Sequence, residues 1–168
     1  MSQSNERQPA IHADLWPGSD WHEEDLRDLM EMVKPFGDVH GRRSYKMRGM
    51  GLQVTLAFVA GAIAGGFFSA LGEQLYSGLA KKLAEFLQRP QRRHLEWNAG
   101  HDRDGLFFIV QDRELRLDLH LYGWMRNDEE IREFLRVAPN AYFAIVEAVK
   151  EGRSPCIRGK AHAIHVTW

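Results

Sequence analysis

The sequence holds a single cysteine, Cys156, in 168 residues, so an intramolecular disulfide is excluded, and so is redox catalysis by a cysteine pair. A reducing compartment is the simplest setting. A secretory signal is also missing, because MSQSNERQPA is polar and has no apolar run beside a basic start. Together these absences predict a cytoplasmic protein. Net charge is nearly absent: 22 Lys and Arg against 23 Asp and Glu leave -1, which argues against a chain devoted wholly to nucleic acid. There is no G-x-S-x-G, no P-loop and no glycine fingerprint between a strand and a helix, so the nucleophile elbow and the common nucleotide cradles have no candidate. With 44% hydrophobic and 27% charged residues, the signature of disorder is absent too.

What remains reads as a flexible leader over residues 1–9 and one α+β domain over residues 10–168. Ala10 to Trp16 alternate as a strand and stop at Pro17-Gly18. Asp20 and Glu23 have capping-box spacing, and Leu26, Leu29, Met30 and Val33 form one helical stripe that Pro35 and Gly37 end. A short strand is expected around Ser44 to Met47. Leu75, Leu79, Leu83, Phe86 and Leu87 give an amphipathic helix from Glu73 to Gln88, stopped by Pro90. The period then changes to two: Leu115, Leu117, Leu119 and Leu121 alternate with polar residues, and with Leu106 to Val110 they predict a hairpin, beside which His94 to Trp97 can pair. Asn127 and Glu130 repeat the capping-box spacing and open a helix that Pro139 divides from a second, lined by Tyr142, Ile145, Val146 and Val149. A last strand is expected within Ile157 to Trp168. The expected architecture is a mostly antiparallel sheet with a central apolar glycine-rich helix packed on an amphipathic one.

That central helix is read from Gly49 to Gly72, where 24 residues carry no ionisable side chain. As one continuous helix they would span about 36 Å, more than the roughly 30 Å of a bilayer's hydrocarbon core. Ala57, Gly61, Gly65 and Ser69 make an i+4 row of small residues, a groove that admits another backbone, while Leu56, Val59, Ile63, Phe67 and Leu71 gather on a bulky arc. Burial against the following helix, an interface in a homo-oligomer and insertion into a membrane are all compatible with this pattern.

The chemistry-bearing residues form few constellations. His162 and His165 lie three apart in a predicted strand, about 10 Å apart on opposite faces, so they cannot share a metal. No metal site or cofactor is expected. Asp118 and His120 share one side of their strand, the arrangement of an orienting acid-base pair and equally of an ordinary wet face; a small hydrolase is the enzymatic alternative. Glu23, Glu24, Asp28 and Glu31 make an acidic helix face, either solvated or a dock for a basic partner. Arg42, Arg43, Lys46 and Arg48 precede the uncharged segment, and Lys81, Lys82, Arg89, Arg92 and Arg93 lie beyond it. If the uncharged helix and the amphipathic helix after it form a hairpin, these two basic clusters meet in one positive rim for phosphates, anionic lipid or an acidic protein face.

The strand at Ala10 to Trp16, the helix at Glu23 to Val33, Gly49-Met50-Gly51, the apolar glycine-rich helix, the amphipathic helix and the hairpin resemble, in order, the effector-associated constant component domains of bacterial conflict systems. The likeness covers residues 10 to 122; the elements after Tyr122 are extra to it. It implies a non-enzymatic adaptor for a protein partner or effector, with membrane association of residues 49–72 as the alternative.

Overall fold

The computed structural model describes residues 9–16, 23–43, 53–73, 77–93, 104–125, 127–153 and 162–167. Its elements are β1 (Ala10–Trp16), α1 (Glu23–Val33), a 3-10 turn (Lys34–Phe36), β2 (Val39–Arg43), β3 (Gln53–Val59), α2 (Gly61–Gly72), α3 (Ser77–Arg93), β4 (Asp104–Asp112), β5 (Leu117–Met125), α4 (Asp128–Lys150) and β6 (His162–Thr167). The six strands form one sheet in the order β2-β1-β3-β4-β5-β6.

The fold is α+β, but the sheet is mixed. β2 runs parallel to β1 and β4 runs parallel to β3, while the other three pairings are antiparallel. Parallel neighbours need a long crossover, and each has one: α1 carries the chain from β1 to β2, and α2 with α3 carries it from β3 to β4. Hairpin logic alone could not find these pairs. The expected strand at Ser44 to Met47 and the expected pairing of His94 to Trp97 fall outside the described residues. Both neighbours of the β4–β5 pair are in any case other strands.

The uncharged segment is not one helix. Residues 53–59 are β3, and the helix starts only at Gly61, leaving α2 with 12 residues, about 18 Å. Ala60 between them is extended, with φ 163° and ψ 141°. Val54, Leu56 and Phe58 are fully buried in alternation with half-buried Thr55, Ala57 and Val59, so the first half obeys period two. Among the described residues no helix is long and apolar enough to cross a membrane. The prolines differ from expectation as well. Pro90 lies inside α3 and Pro139 inside α4, each omitting one backbone donor without ending its helix. The helix start at Asn127 does follow the capping box: the Asn127 side chain accepts from Glu130 N at 2.9 Å.

One hydrophobic core lies on one face of the sheet. Register places Ile11, Phe58 and Val110 in one cross-strand row and Ala13, Leu56, Phe108 and Leu121 in the next. All are buried, together with Leu29 and Val33 of α1, Phe67 and Phe68 of α2, Leu83 and Leu87 of α3, and Phe134 and Tyr142 of α4. Rings dominate the centre. Phe67 sits 4.6 Å from Phe58 and 5.4 Å from Phe108, Phe68 sits 5.4 Å from Phe108, and Tyr142 stacks on Phe68 at 4.4 Å. Each fully buried ring of this kind contributes about 2–3 kcal/mol from area removed from water.

Gly61, Gly65 and Gly72 of α2 face α4. The Tyr142 hydroxyl donates to the Gly61 carbonyl at 3.4 Å, a Cβ on Gly65 would lie 3.9 Å from that hydroxyl oxygen, and one on Gly72 would lie 3.2 Å from Pro139. Ser69 is exposed, and Ala57 belongs to β3, so the expected i+4 row is split between elements. Its glycines also do different jobs. At Gly61 a Cβ would take the place of the Asp112 carboxylate, which lies against the first residue of α2. That helix has no acidic residue in its first turn and no side-chain cap at Ala60, so Asp112 supplies the negative charge its N-terminus favours. Asp112 is itself fixed, since its Oδ1 accepts from Glu114 N at 3.0 Å and Leu115 N at 3.1 Å. Gly61→Ala is therefore expected to destabilise by about 1–3 kcal/mol, because the carboxylate must leave both turn amides. Gly65→Ala meets only ordinary contact and should stabilise by up to about 1 kcal/mol through helix propensity. Urea denaturation of the two variants separates these outcomes, whereas a uniform small-residue groove predicts a loss for both.

Candidate functional site

The helices α1 to α4 all contribute to the single core, which leaves the opposite sheet face without a helical layer among the described residues. Its side chains are those that alternate with the core. On β1 they are His12 and Asp14, on β2 His40 and Arg42, on β3 Thr55, Ala57 and Val59, on β4 Phe107, Ile109 and Gln111, and on β5 Asp118, His120 and Tyr122. All are half-buried or exposed.

Register turns these positions into rows. One crosses the whole sheet: His40, His12, Ala57, Ile109, His120 and His165 are successive cross-strand partners from β2 to β6. At the β2 end the rings of His12 and His40 stack, with centroids 5.5 Å apart and planes at 26°. The adjacent row runs Arg42, Asp14, Thr55, Phe107, Tyr122 and Ala163, and within it the Phe107 and Tyr122 rings stack at 5.8 Å. The face thus has an apolar centre, made of Val59, Ala57, Ile109, Phe107 and Tyr122, between histidine-bearing flanks. Of the apolar run from Leu106 to Val110, alternate residues therefore go to opposite faces.

Asp118 and His120 meet as their spacing predicts. His120 Nε2 lies 3.0 Å from Asp118 Oδ1, with the side chains 42% and 46% exposed. The carboxylate can orient the ring. At that exposure water screens the pair, so the geometry fits an oriented surface histidine as well as a catalytic base. Among the described residues no group of three or more His, Cys, Asp or Glu side chains is placed to hold a metal ion. His162 and His165 both lie in β6, opposite Gly123 and His120.

The charged side chains that are described lie on different parts of the fold. Glu23, Glu24, Asp28 and Glu31 are all exposed on α1, with Glu31 3.5 Å from Lys34, whereas the intervening Asp25 is buried. Arg42 points to the helix-free face, because a side chain at the preceding Gly41 would run into Met30 of α1 on the other. Lys81 and Lys82 are exposed on α3, in the helical layer, so they do not converge with Arg42 on one rim. Arg43 ends β2, and Arg89, Arg92 and Arg93 continue α3 to its last residue. Lys46 and Arg48 lie outside the described residues.

Sequence reasoning missed the row for a structural reason. Its residues come from strands far apart in the chain and align only once register is known; the available signal was a histidine in β1, β2, β5 and β6, four of the six strands.

No protein-family profile matches the chain, and no curated protein or solved structure shows significant similarity to it. The functional reading therefore rests on geometry.

One titratable group with a clearly displaced pKa is Tyr142. Burial, reinforced by the nearby Asp112 carboxylate, pushes its hydroxyl up to about 12. The phenol stays neutral and acts as a structural donor at the head of α2. Below the ordinary tyrosine value of about 10 both folded and unfolded chains keep this proton; above it the unfolded chain loses the proton first. Stability is thus expected to fall between about pH 10 and about pH 12, and Tyr142→Phe should flatten that fall. Urea midpoints across this range, with absorbance of the phenolate, check the sign; a curve unchanged by Tyr142→Phe contradicts it.

Proposed function

We propose that this domain is a non-enzymatic protein-interaction module that docks a protein partner on the helix-free face of its sheet. The observation that supports this most is the apolar band of Val59, Ala57, Ile109, Phe107 and Tyr122, half-exposed across the central strands. A water-facing sheet surface normally alternates to polar residues; an apolar centre with a polar rim is the anatomy of a docking patch. His12, His40, Asp14 and Arg42 on one side and Asp118 and His120 on the other supply the rim. The resemblance to the effector-associated constant component domains supports the same reading, with an effector of a bacterial defence or toxin-related system as the partner and a homo-oligomer as the self-docking variant.

Ile109→Glu tests the patch, because it lies outside the core and should shift stability by less than about 1 kcal/mol. Affinity capture followed by reconstitution with the purified partner is expected to show a loss of about tenfold or more in the variant, a change of at least 1.4 kcal/mol at the centre of an interface. Light scattering in the absence of partner identifies self-docking. Equal binding by wild type and Ile109→Glu contradicts the proposal.

A second reading, a small hydrolase, is favoured by the 3.0 Å contact of His120 with Asp118. It predicts that His120→Ala abolishes turnover of ester and phosphoester substrates by the purified protein. The interaction reading predicts no turnover above background in either protein.

A further inference from the structure

The helical layer contains a half-open cavity of about 550 Å³ between the end of α2, the middle of α3 and the first half of α4. Its volume falls within the range of small-molecule sites, roughly 300–1,000 Å³. The apolar part of its wall is aliphatic: Leu71, Ala84 and Leu135 line it, and no aromatic side chain does among the described residues. Glu73, Lys81, Glu85, Gln88, Arg132 and Arg136 also line it, and two of these, one buried and one at the mouth, give it chemical character. Gln88 lines the cavity with only 6% of its surface exposed, and its carboxamide has no hydrogen-bond partner among the described residues. A buried amide in that state is costly unless something supplies the missing bond. At the mouth stands Arg132, exposed and without an acidic partner among the described residues. The other cations there are engaged: Lys81 lies 4.0 Å from Glu85, and Arg136 forks onto Glu133 with bonds of 2.6 and 2.8 Å.

We propose that this cavity binds a medium-chain aliphatic carboxylate, its chain against Leu71, Ala84 and Leu135, its carboxylate between Arg132 and the Gln88 amide N–H. A carboxylate accepts from both groups at once, and a charge-assisted bond from arginine is stronger than a neutral one. A cationic headgroup would face Arg132 with like charge, and a neutral alcohol would leave it unmatched. The site is separate from the docking face, on the opposite side of the sheet, and the inference does not depend on that reading.

The test uses the full chain and decanoate below its micelle concentration. In amide and methyl NMR spectra decanoate is expected to produce saturable shifts at Leu71, Ala84, Gln88 and Leu135, while decylamine produces none. Arg132→Gln, an exposed change that leaves the fold intact, should weaken decanoate about tenfold, as expected for loss of one charge-assisted bond. Gln88→Leu removes the unpaired amide, so it should raise the thermal midpoint of the free protein and weaken decanoate as well. Should Gln88→Leu fail to fold, Arg132→Gln alone decides. Overturning results are the absence of saturable shifts, shifts centred on Ile109 and Tyr122, or equal affinity for decanoate in wild type and Arg132→Gln.

Discussion

The interaction on which the rest depends is the ring cluster that fixes α2 to the middle of the sheet. Phe58 and Phe108 rise from β3 and β4, which are neighbours in register one pleat apart, and Phe67 and Phe68 descend from α2 between them. Phe67 and Phe68 are consecutive and point about 100° apart on α2, so the side of the helix between them faces the sheet. The same geometry then seats α4, since Tyr142 stacks on Phe68 and Phe134 stacks on Phe108 at 5.7 Å. Edge-to-face contacts at these distances add specificity to burial, because they fix ring orientation as well as depth.

A core concentrated this way makes the molecule one-sided. The connection from β1 to β2 and the longer one from β3 to β4 both return on the same side as α4, so their helices share one layer. The opposite face keeps a half-exposed apolar centre that nothing in the core uses. The two faces are divided by strand parity: Leu106, Phe108 and Val110 build the core, while Phe107 and Ile109, one residue away, lie half-buried on the helix-free face. A one-residue slip of β4 would exchange the two sets, which is why the cluster also decides which side chains lie on the helix-free face.

The local signals in the sequence were dependable where one physical rule acted alone. The alternation of β5, the stripe of α1 and the capping box at Asn127 all describe elements that form as read. The central segment failed because two periods overlap in it. Leu56, Val59, Ile63, Phe67 and Leu71 fit a helix, yet Val54, Leu56 and Phe58 fit a strand, and only pairing with β1 and β4 decides between them. Pro90 and Pro139 were read as stops because propensity weighs a missing donor; packing decided otherwise, since buried Pro139 fills the space beside Gly72. At the candidate site the Asp118–His120 contact was legible from spacing two on one strand. The six-strand row was not, because register between β2, β1 and β3 is long-range information.

One face of the sheet is packed by helices, and the other has no helical layer among the described residues. Methyl NMR with a soluble paramagnetic probe measures this directly, using two isoleucines that differ in face: Ile11, fully buried, and Ile109, half-buried on the helix-free side. Strong relaxation of the Ile109 methyls with none at Ile11 is the predicted result. Equal protection of Ile109 and Ile11 in the free protein would contradict the account.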